Sequence, residues 1–67
     1  MIDIRDYDGK LVGKADRVTG VVESKHGDRI MRVTLSEGES VTLLRPGTIT
    51  NVIRTNGDFT VSRRKAA

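Results

Sequence analysis

Residues 52–61, VIRTNGDFTV, decide the fold of this 67-residue chain. Asn56-Gly57 lies between two short runs rich in β-branched residues, and this dipeptide is the preferred centre of a two-residue hairpin turn because both of its positions require positive φ. A hairpin closed by this turn sets Val52 opposite Val61 and puts Phe59 on the same face. The stretch therefore predicts an antiparallel hairpin with an apolar inner face.

Comparable turn signals divide the rest of the chain into short extended segments. They are Asp8-Gly9, His26-Gly27, Ser36-Glu37-Gly38 and Pro46-Gly47. Valine, isoleucine and threonine supply 20 residues, against four leucines and three alanines, and β-branched side chains favour strands over helices. No window has the i, i+3, i+4, i+7 apolar spacing of a helix. These features predict an all-β protein.

The most economical arrangement of such strands is one small closed sheet. We expect a single domain over residues 1–67 that forms a five- or six-stranded antiparallel barrel, because closure hides the sheet edges. An SH3-like barrel is the first choice and an OB-like barrel the second. Residues 63–67 are expected to form a flexible basic tail.

The turns also predict which residues face each other across the sheet. If His26-Gly27 closes a tight hairpin, Val22 lies opposite Met31. If the next turn is a three-residue loop ending in glycine, Val33 lies opposite Val41. Both pairs fall on one face, so a three-stranded meander is expected before the Pro46-Gly47 turn.

One short segment carries a family resemblance. Residues 8–14, DGKLVGK, resemble the opening hairpin of PRC-barrel domains, which are small β-barrels used for protein interaction and RNA processing. The resemblance covers seven of the 67 residues. No function is transferred from it.

The sequence lacks the residue patterns of catalysis and of metal binding. There is no cysteine, and His26 is the only histidine, so no thiolate, zinc cluster or His-based pair is available. The Asp6-x-Asp8-Gly9 pattern lacks the further oxygen ligands of a calcium loop. No glycine-rich loop of the phosphate-cradling type is present. The chain is therefore predicted to be a non-enzymatic protein without cofactor or small-molecule substrate.

The sequence contains no long apolar run. The longest apolar stretches are pairs such as Val21-Val22 and Leu43-Leu44, far short of a membrane span or signal peptide. We therefore expect a cytoplasmic protein with no membrane partner.

Charge is distributed unevenly along the chain and points to a polyanionic partner. Residues 1–28 hold five cations and six acids, whereas residues 29–67 hold seven cations and three acids. Local basic density sets the field that a phosphate backbone experiences. We therefore predict a nucleic-acid-binding module, for DNA or RNA, whose contact residues are Arg29, Arg32, Arg45, Arg54, Arg63, Arg64 and Lys65.

The aromatic content limits how such a module reads its ligand. Tyr7 and Phe59 are the two aromatic residues, and Phe59 is assigned to the core. A base-stacking platform is therefore not expected, and binding is predicted to use phosphates and shape with weak sequence preference.

The alternative interpretation is a protein-interaction or homo-oligomerising adaptor. It rests on apolar residues assigned to the outer face of the sheet, which would together form a patch for a protein partner or for a second copy. These residues are Val21, Ile30, Leu44 and Ile53.

Overall fold

The computed structural model describes residues 1–66, which form an all-β protein of seven antiparallel strands. The strands are β1 (Ile2–Arg5), β2 (Leu11–Ala15), β3 (Val21–His26), β4 (Arg29–Thr34), β5 (Ser40–Arg45), β6 (Thr48–Thr55) and β7 (Asp58–Lys65). They build two sheets, one with the order β1-β2-β3-β4 and one with the order β5-β6-β7. We call them sheet A and sheet B.

The hairpin predicted from residues 52–61 is confirmed as β6 and β7. Val52 pairs with Val61 and Arg54 with Phe59, and positive φ values of 53° at Asn56 and 74° at Gly57 match the turn that the dipeptide favours. This ladder continues to Thr48 and Lys65. Residues 63–65 are therefore part of a strand rather than a tail, and residue 67 lies outside the described residues.

The expected meander is wrong in two respects. The β3–β4 turn centres on Gly27-Asp28, so Val22 pairs with Val33 instead of Met31. Gly27 has positive φ and Asp28 does not, which suits a turn with glycine in its first central position. More importantly, β4 and β5 lie in different sheets, so Val33 and Val41 are not ladder partners.

The connection between β4 and β5 explains that change of sheet. Gly38 N donates to the Arg54 carbonyl at 2.8 Å, and Arg54 N donates to the Glu39 carbonyl at 3.0 Å. These bonds attach the start of β5 to β6 rather than to β4. The result is seven strands in two sheets where five or six in one barrel were expected, and neither the SH3-like nor the OB-like topology is confirmed.

The core lies between the two sheets. Its buried residues are Ile4, Val12, Ala15, Val22, Leu35, Leu43 and Val52. Val12 reaches this core through a β-bulge, because Ile4 pairs with Gly13 while Arg5 pairs with Leu11, leaving Val12 as the extra residue. Val33, Val41, Phe59 and Val61 are partly buried against it. No helix in residues 1–66 is long and apolar enough to cross a membrane.

Candidate nucleic-acid interface

Arg45 lies on the inner face of β5, in line with the buried Leu43. Its half-buried guanidinium reaches sheet A, where Nη2 donates to Ser24 Oγ at 2.8 Å, to the Lys25 carbonyl at 3.0 Å and to the Val12 carbonyl at 3.3 Å. The β2–β3 ladder has already ended at this level. Arg45 therefore satisfies carbonyl groups that lack a strand partner.

Arg54 occupies an inner-face position on β6, two residues beyond the buried Val52. Nη1 donates to the Leu35 carbonyl at 2.9 Å, and Nη2 donates to the Arg17 carbonyl at 3.4 Å. The guanidinium passes over Gly20, where a Cβ would overlap it and would lie 2.6 Å from the Leu35 carbonyl oxygen. The missing side chain at Gly20 thus makes the room that Arg54 occupies.

The end of β7 is joined to sheet A through side chains, because no ladder pairs β7 with β1. Arg63 Nε donates to the Arg5 carbonyl at 2.6 Å. Lys65 Nζ lies 5.8 Å from the centroid of the Tyr7 ring, within cation–π range. Arg64 points to the outer face of sheet B. Arg64 thus points away from sheet A, whereas Arg63 and Lys65 both contact it.

Charges are segregated to opposite ends of the molecule. The basic end holds the turns after β1, β3 and β5 and the last residues of β7; it carries eight cations and three carboxylates, which leaves five formal positive charges in excess. The cations are Arg5, Lys10, Lys25, Arg29, Arg45, Arg63, Arg64 and Lys65, and the carboxylates are Asp6, Asp8 and Asp28.

The acidic end holds the three remaining connections and has the opposite balance. Four carboxylate side chains outnumber two cationic side chains there, beside the amino terminus of Met1: Asp16, Glu37, Glu39 and Asp58 against Arg17 and Arg54. Contacts between the sheets join their corresponding ends. Arg45 donates to the Lys25 carbonyl at the basic end, and Arg17 pairs with Asp58 at the acidic end. The segregation therefore extends across both sheets.

Five of the seven predicted contact residues meet at the basic end: Arg29, Arg45, Arg63, Arg64 and Lys65. Arg54 shares the inner face of sheet B with Arg45. However, Arg45 pairs with Thr48, which lies six residues before Arg54 on β6, so the two arginines are roughly 20 Å apart along the strand. Arg32 lies midway along β4 and pairs with Glu23 at 2.7 Å. The structure does not bring these last two into one surface with the others.

Sequence reasoning missed Lys10 and Lys25. Both are exposed at the basic end, and within residues 1–66 neither side chain makes a hydrogen bond or ion pair. They belong to the half of the sequence with more acids than cations, so a count along the chain hides them. Pairing the turns by strand direction would have placed them at the same end of the molecule as Arg64.

The four residues of the alternative interface do not form one patch. Val21 and Ile30 lie on the outer face of sheet A at opposite ends of the β3–β4 ladder. A row of alternating charges, Asp3, Lys14, Glu23 and Arg32, crosses that face between them. Leu44 and Ile53 lie on the outer face of sheet B.

Asp6 is the buried carboxylate of the basic end. Its Oδ1 accepts hydrogen bonds from Asp8 N and Lys10 N, both at 2.9 Å, and its Oδ2 accepts one from Thr48 Oγ1 at 3.1 Å. Burial alone would raise the pKa of Asp6, but the bonds from Lys10, Thr48 and Asp8 outweigh burial and hold the pKa below its usual value. Asp6 therefore attaches the β1–β2 turn to β6 as an anion, and both of its carboxylate oxygens accept hydrogen bonds within the protein.

Comparison with known proteins identifies no matching family, no similar curated protein and no similar solved structure.

Proposed function

We propose that the protein binds the phosphate backbone of a nucleic acid through its basic end. The observation that carries this proposal is the segregation of charge, with eight cations against three carboxylates at one end. One of those carboxylates, Asp6, is buried with its oxygens hydrogen-bonded. A concentrated positive field attracts a polyanion far more effectively than the same charges spread evenly.

The cations of the basic end divide into two groups by their contacts. Arg5, Arg45 and Arg63 donate to backbone carbonyl oxygens, so they contribute mainly a fixed positive field. Lys10, Lys25, Arg29 and Arg64 make no side-chain hydrogen bond or ion pair in the part of the chain the structure describes. These four, together with Lys65, are the groups proposed to touch phosphates.

Base recognition has little support among the aromatic side chains. Phe59 is half-buried against the core, and the Tyr7 ring, although 55% exposed, is covered on one side by Lys65. Stacking requires a free aromatic face. The proposed mode is therefore contact with phosphates and with helix shape, with little preference for sequence.

The barrel topology is also kept as a proposal. The two sheets are bridged between β7 and β1 by Arg63 and the Arg5 carbonyl, whereas β4 and β5 share no ladder. An SH3-like barrel left open between β4 and β5 is the first choice, and an OB-like barrel is the second.

The test is the salt dependence of binding to a DNA duplex and an RNA duplex of about 20 base pairs. Each phosphate contact contributes a slope of about −0.9 to log affinity against log salt, so four or five contacts predict a slope of roughly −4. Arg64→Ala and Lys10→Ala should each reduce the slope by about one unit and weaken binding to all sequences alike.

Lys14→Ala is the matched control. Lys14 is an exposed lysine on β2, the strand that begins directly after Lys10. It lies in the row of alternating charges on the outer face of sheet A. Its removal changes the net charge equally and should leave the slope unchanged. No binding at low salt, or equal effects of Lys10→Ala and Lys14→Ala, would refute the proposed surface.

A further inference from the structure

The edges of β4 and β5 flank a groove that phosphate binding does not explain. Its volume is about 280 Å³, and six of the residues that line it are Arg29, Ile30, Met31, Leu43, Leu44 and Arg45. We call it the β4/β5 groove. Both strands are the last strand on their side of a sheet, so each presents an unpaired edge.

The backbone of β4 has hydrogen-bonding groups available at this edge. Leu35 N donates to the Gly20 carbonyl at 2.8 Å, and the alternation of an antiparallel ladder then turns Val33 and Met31 toward β3 as well. The N–H and C=O groups of Ile30, Arg32 and Thr34 consequently point away from β3. No ladder or turn hydrogen bond within residues 1–66 reaches them.

Three apolar side chains beside the groove are unusually exposed, although polar residues such as Ser24, His26 and Thr42 also line it. Ile30 and Leu44 are 62% and 64% exposed, and Met31 is 38% exposed although it shares the inner face of β4 with Val33. Sheet B therefore leaves this part of the inner face of β4 uncovered. A strand added here would bury apolar surface as well as pair backbone groups.

Charge indicates the chemistry of the occupant. Arg29 has no ion pair or hydrogen bond in residues 1–66, and the hydrogen bonds of Arg45 go only to carbonyl and hydroxyl oxygens. Among residues 1–66, no carboxylate lines the groove. Two guanidinium groups without a carboxylate partner, at one end of the groove, match a carboxylate on the incoming strand.

We propose that β4 accepts an extended, acidic segment of a partner protein as an added strand. Its backbone pairs with Ile30, Arg32 and Thr34, an apolar side chain covers Met31, and a carboxylate lies near Arg29. A second copy of this chain fits less well, because the free edge of β7 carries Arg63 and Lys65 and would bring like charges together.

Hydrogen exchange with two synthetic peptides tests this assignment. The first probe is an acetylated, amidated heptapeptide with the sequence Asp-Val-Thr-Val-Thr-Val-Asp, and the second replaces both aspartates by lysine. The acidic peptide should slow amide exchange at Ile30, Arg32 and Thr34 by about tenfold or more, and the lysine peptide should bind at least about tenfold more weakly.

Two substitutions at one position separate backbone pairing from charge attraction. Arg32→Pro removes an N–H that points away from β3 and so breaks no β3–β4 hydrogen bond, whereas Arg32→Ala removes the same charge and keeps the N–H. Peptide affinity should fall about tenfold in Arg32→Pro and stay nearly constant in Arg32→Ala. If Arg32→Pro does not fold, the exchange pattern of the unsubstituted protein decides.

Four results would overturn the proposal. The first three are the absence of peptide binding, equal affinity for both peptides, and protection confined to amides outside β4. Concentration-dependent self-association that protects the same three amides would overturn it in favour of a second copy. None of these results depends on the Lys10 and Lys14 comparison, so failure here and failure of nucleic-acid binding remain distinct.

Discussion

Most of the polar side chains buried between the sheets make a hydrogen bond, and one of them does not. Thr48 and Thr50 are adjacent inner-face residues of β6, and both are almost fully buried. Thr48 Oγ1 donates to Asp6 Oδ2, whereas Thr50 Oγ1 has no hydrogen-bond partner within residues 1–66. A buried hydroxyl without a partner costs free energy.

Thr50→Val should therefore stabilise the protein. Valine has nearly the shape of threonine, so the substitution removes an unpaired hydroxyl without opening a cavity, and the free energy of unfolding should rise by about 1 kcal/mol. Chemical denaturation measures the change. Thr48→Val is the matched control and should lower stability, because Asp6 loses a donor; destabilisation by both substitutions would contradict the assignment of Thr50.

For the two inner-face arginines, the sequence predicts the face of the sheet but not the hydrogen-bond partners. Period-two alternation from Leu43 assigns Arg45 to the inner face of β5, and the correctly predicted β6–β7 register assigns Arg54 to the face of Val52. The charge pattern of the sequence nevertheless predicts both arginines to be surface contacts. Their carbonyl partners belong to sheet A, and only the packing of the two sheets brings those partners within reach.

Strands and turns were predictable where a local signal decides them. Asn56-Gly57 determined the register of β6 and β7, and Pro46-Gly47 was correctly predicted as a turn, with φ of 85° at Gly47. The assignment of β4 and β5 to different sheets was not predictable in this way. It depends on the backbone bonds of Arg54 to residues 38 and 39, and a short glycine loop permits a hairpin or a change of sheet equally well.

The turn before β3 provides a test of how the two sheets interlock. Gly20 has φ of 79°, and an added Cβ would overlap Arg54 and approach the Leu35 carbonyl. Gly20→Ala should lower the free energy of unfolding by about 2–4 kcal/mol, because backbone strain adds to displacement of the arginine. Denaturant unfolding of the variant measures this loss.

Gly38→Ala controls for the strain alone. Gly38 has a similar φ of 84°, but no atom of residues 1–66 lies within 4 Å of its added Cβ, so the cost should be only about 1 kcal/mol. In an Arg54→Ala background the excess cost at Gly20 should shrink. Equal losses in Gly20→Ala and Gly38→Ala would show that Arg54 does not occupy the space above Gly20.

At the scale of the whole molecule, carboxylates with low pKa values secure the turns and join the sheets. A hydrogen bond from Val18 N is the main cause of the lowered pKa of Asp16, and one from Arg17 is the main cause for Asp58. Asp6 joins the first turn of sheet A to Thr48 of sheet B. The ionised carboxylates accept these hydrogen bonds more strongly than the neutral acids would, so the stability of the fold depends on pH.

The direction of that dependence follows from the sign of the shifts. A carboxyl group whose pKa is lower in the folded state stabilises the fold fully above its unfolded pKa, near 4, and loses this contribution as pH falls through the folded value. The thermal midpoint should therefore stay level from about pH 7 to 5 and fall below about pH 4. Circular dichroism melts across this range measure it.

Asp6→Asn tests how much of the fall of the thermal midpoint in acid is caused by the Asp6–Thr48 contact between the sheets. The amide of asparagine cannot accept the same hydrogen bonds as an anion, so the midpoint at neutral pH should drop and its further fall in acid should become shallower. Asp28→Asn removes an equal charge from an exposed turn at the same end and should leave both features nearly unchanged. If the two variants behave alike, net charge rather than the Asp6–Thr48 contact governs acid stability, and the role assigned to Asp6 is wrong.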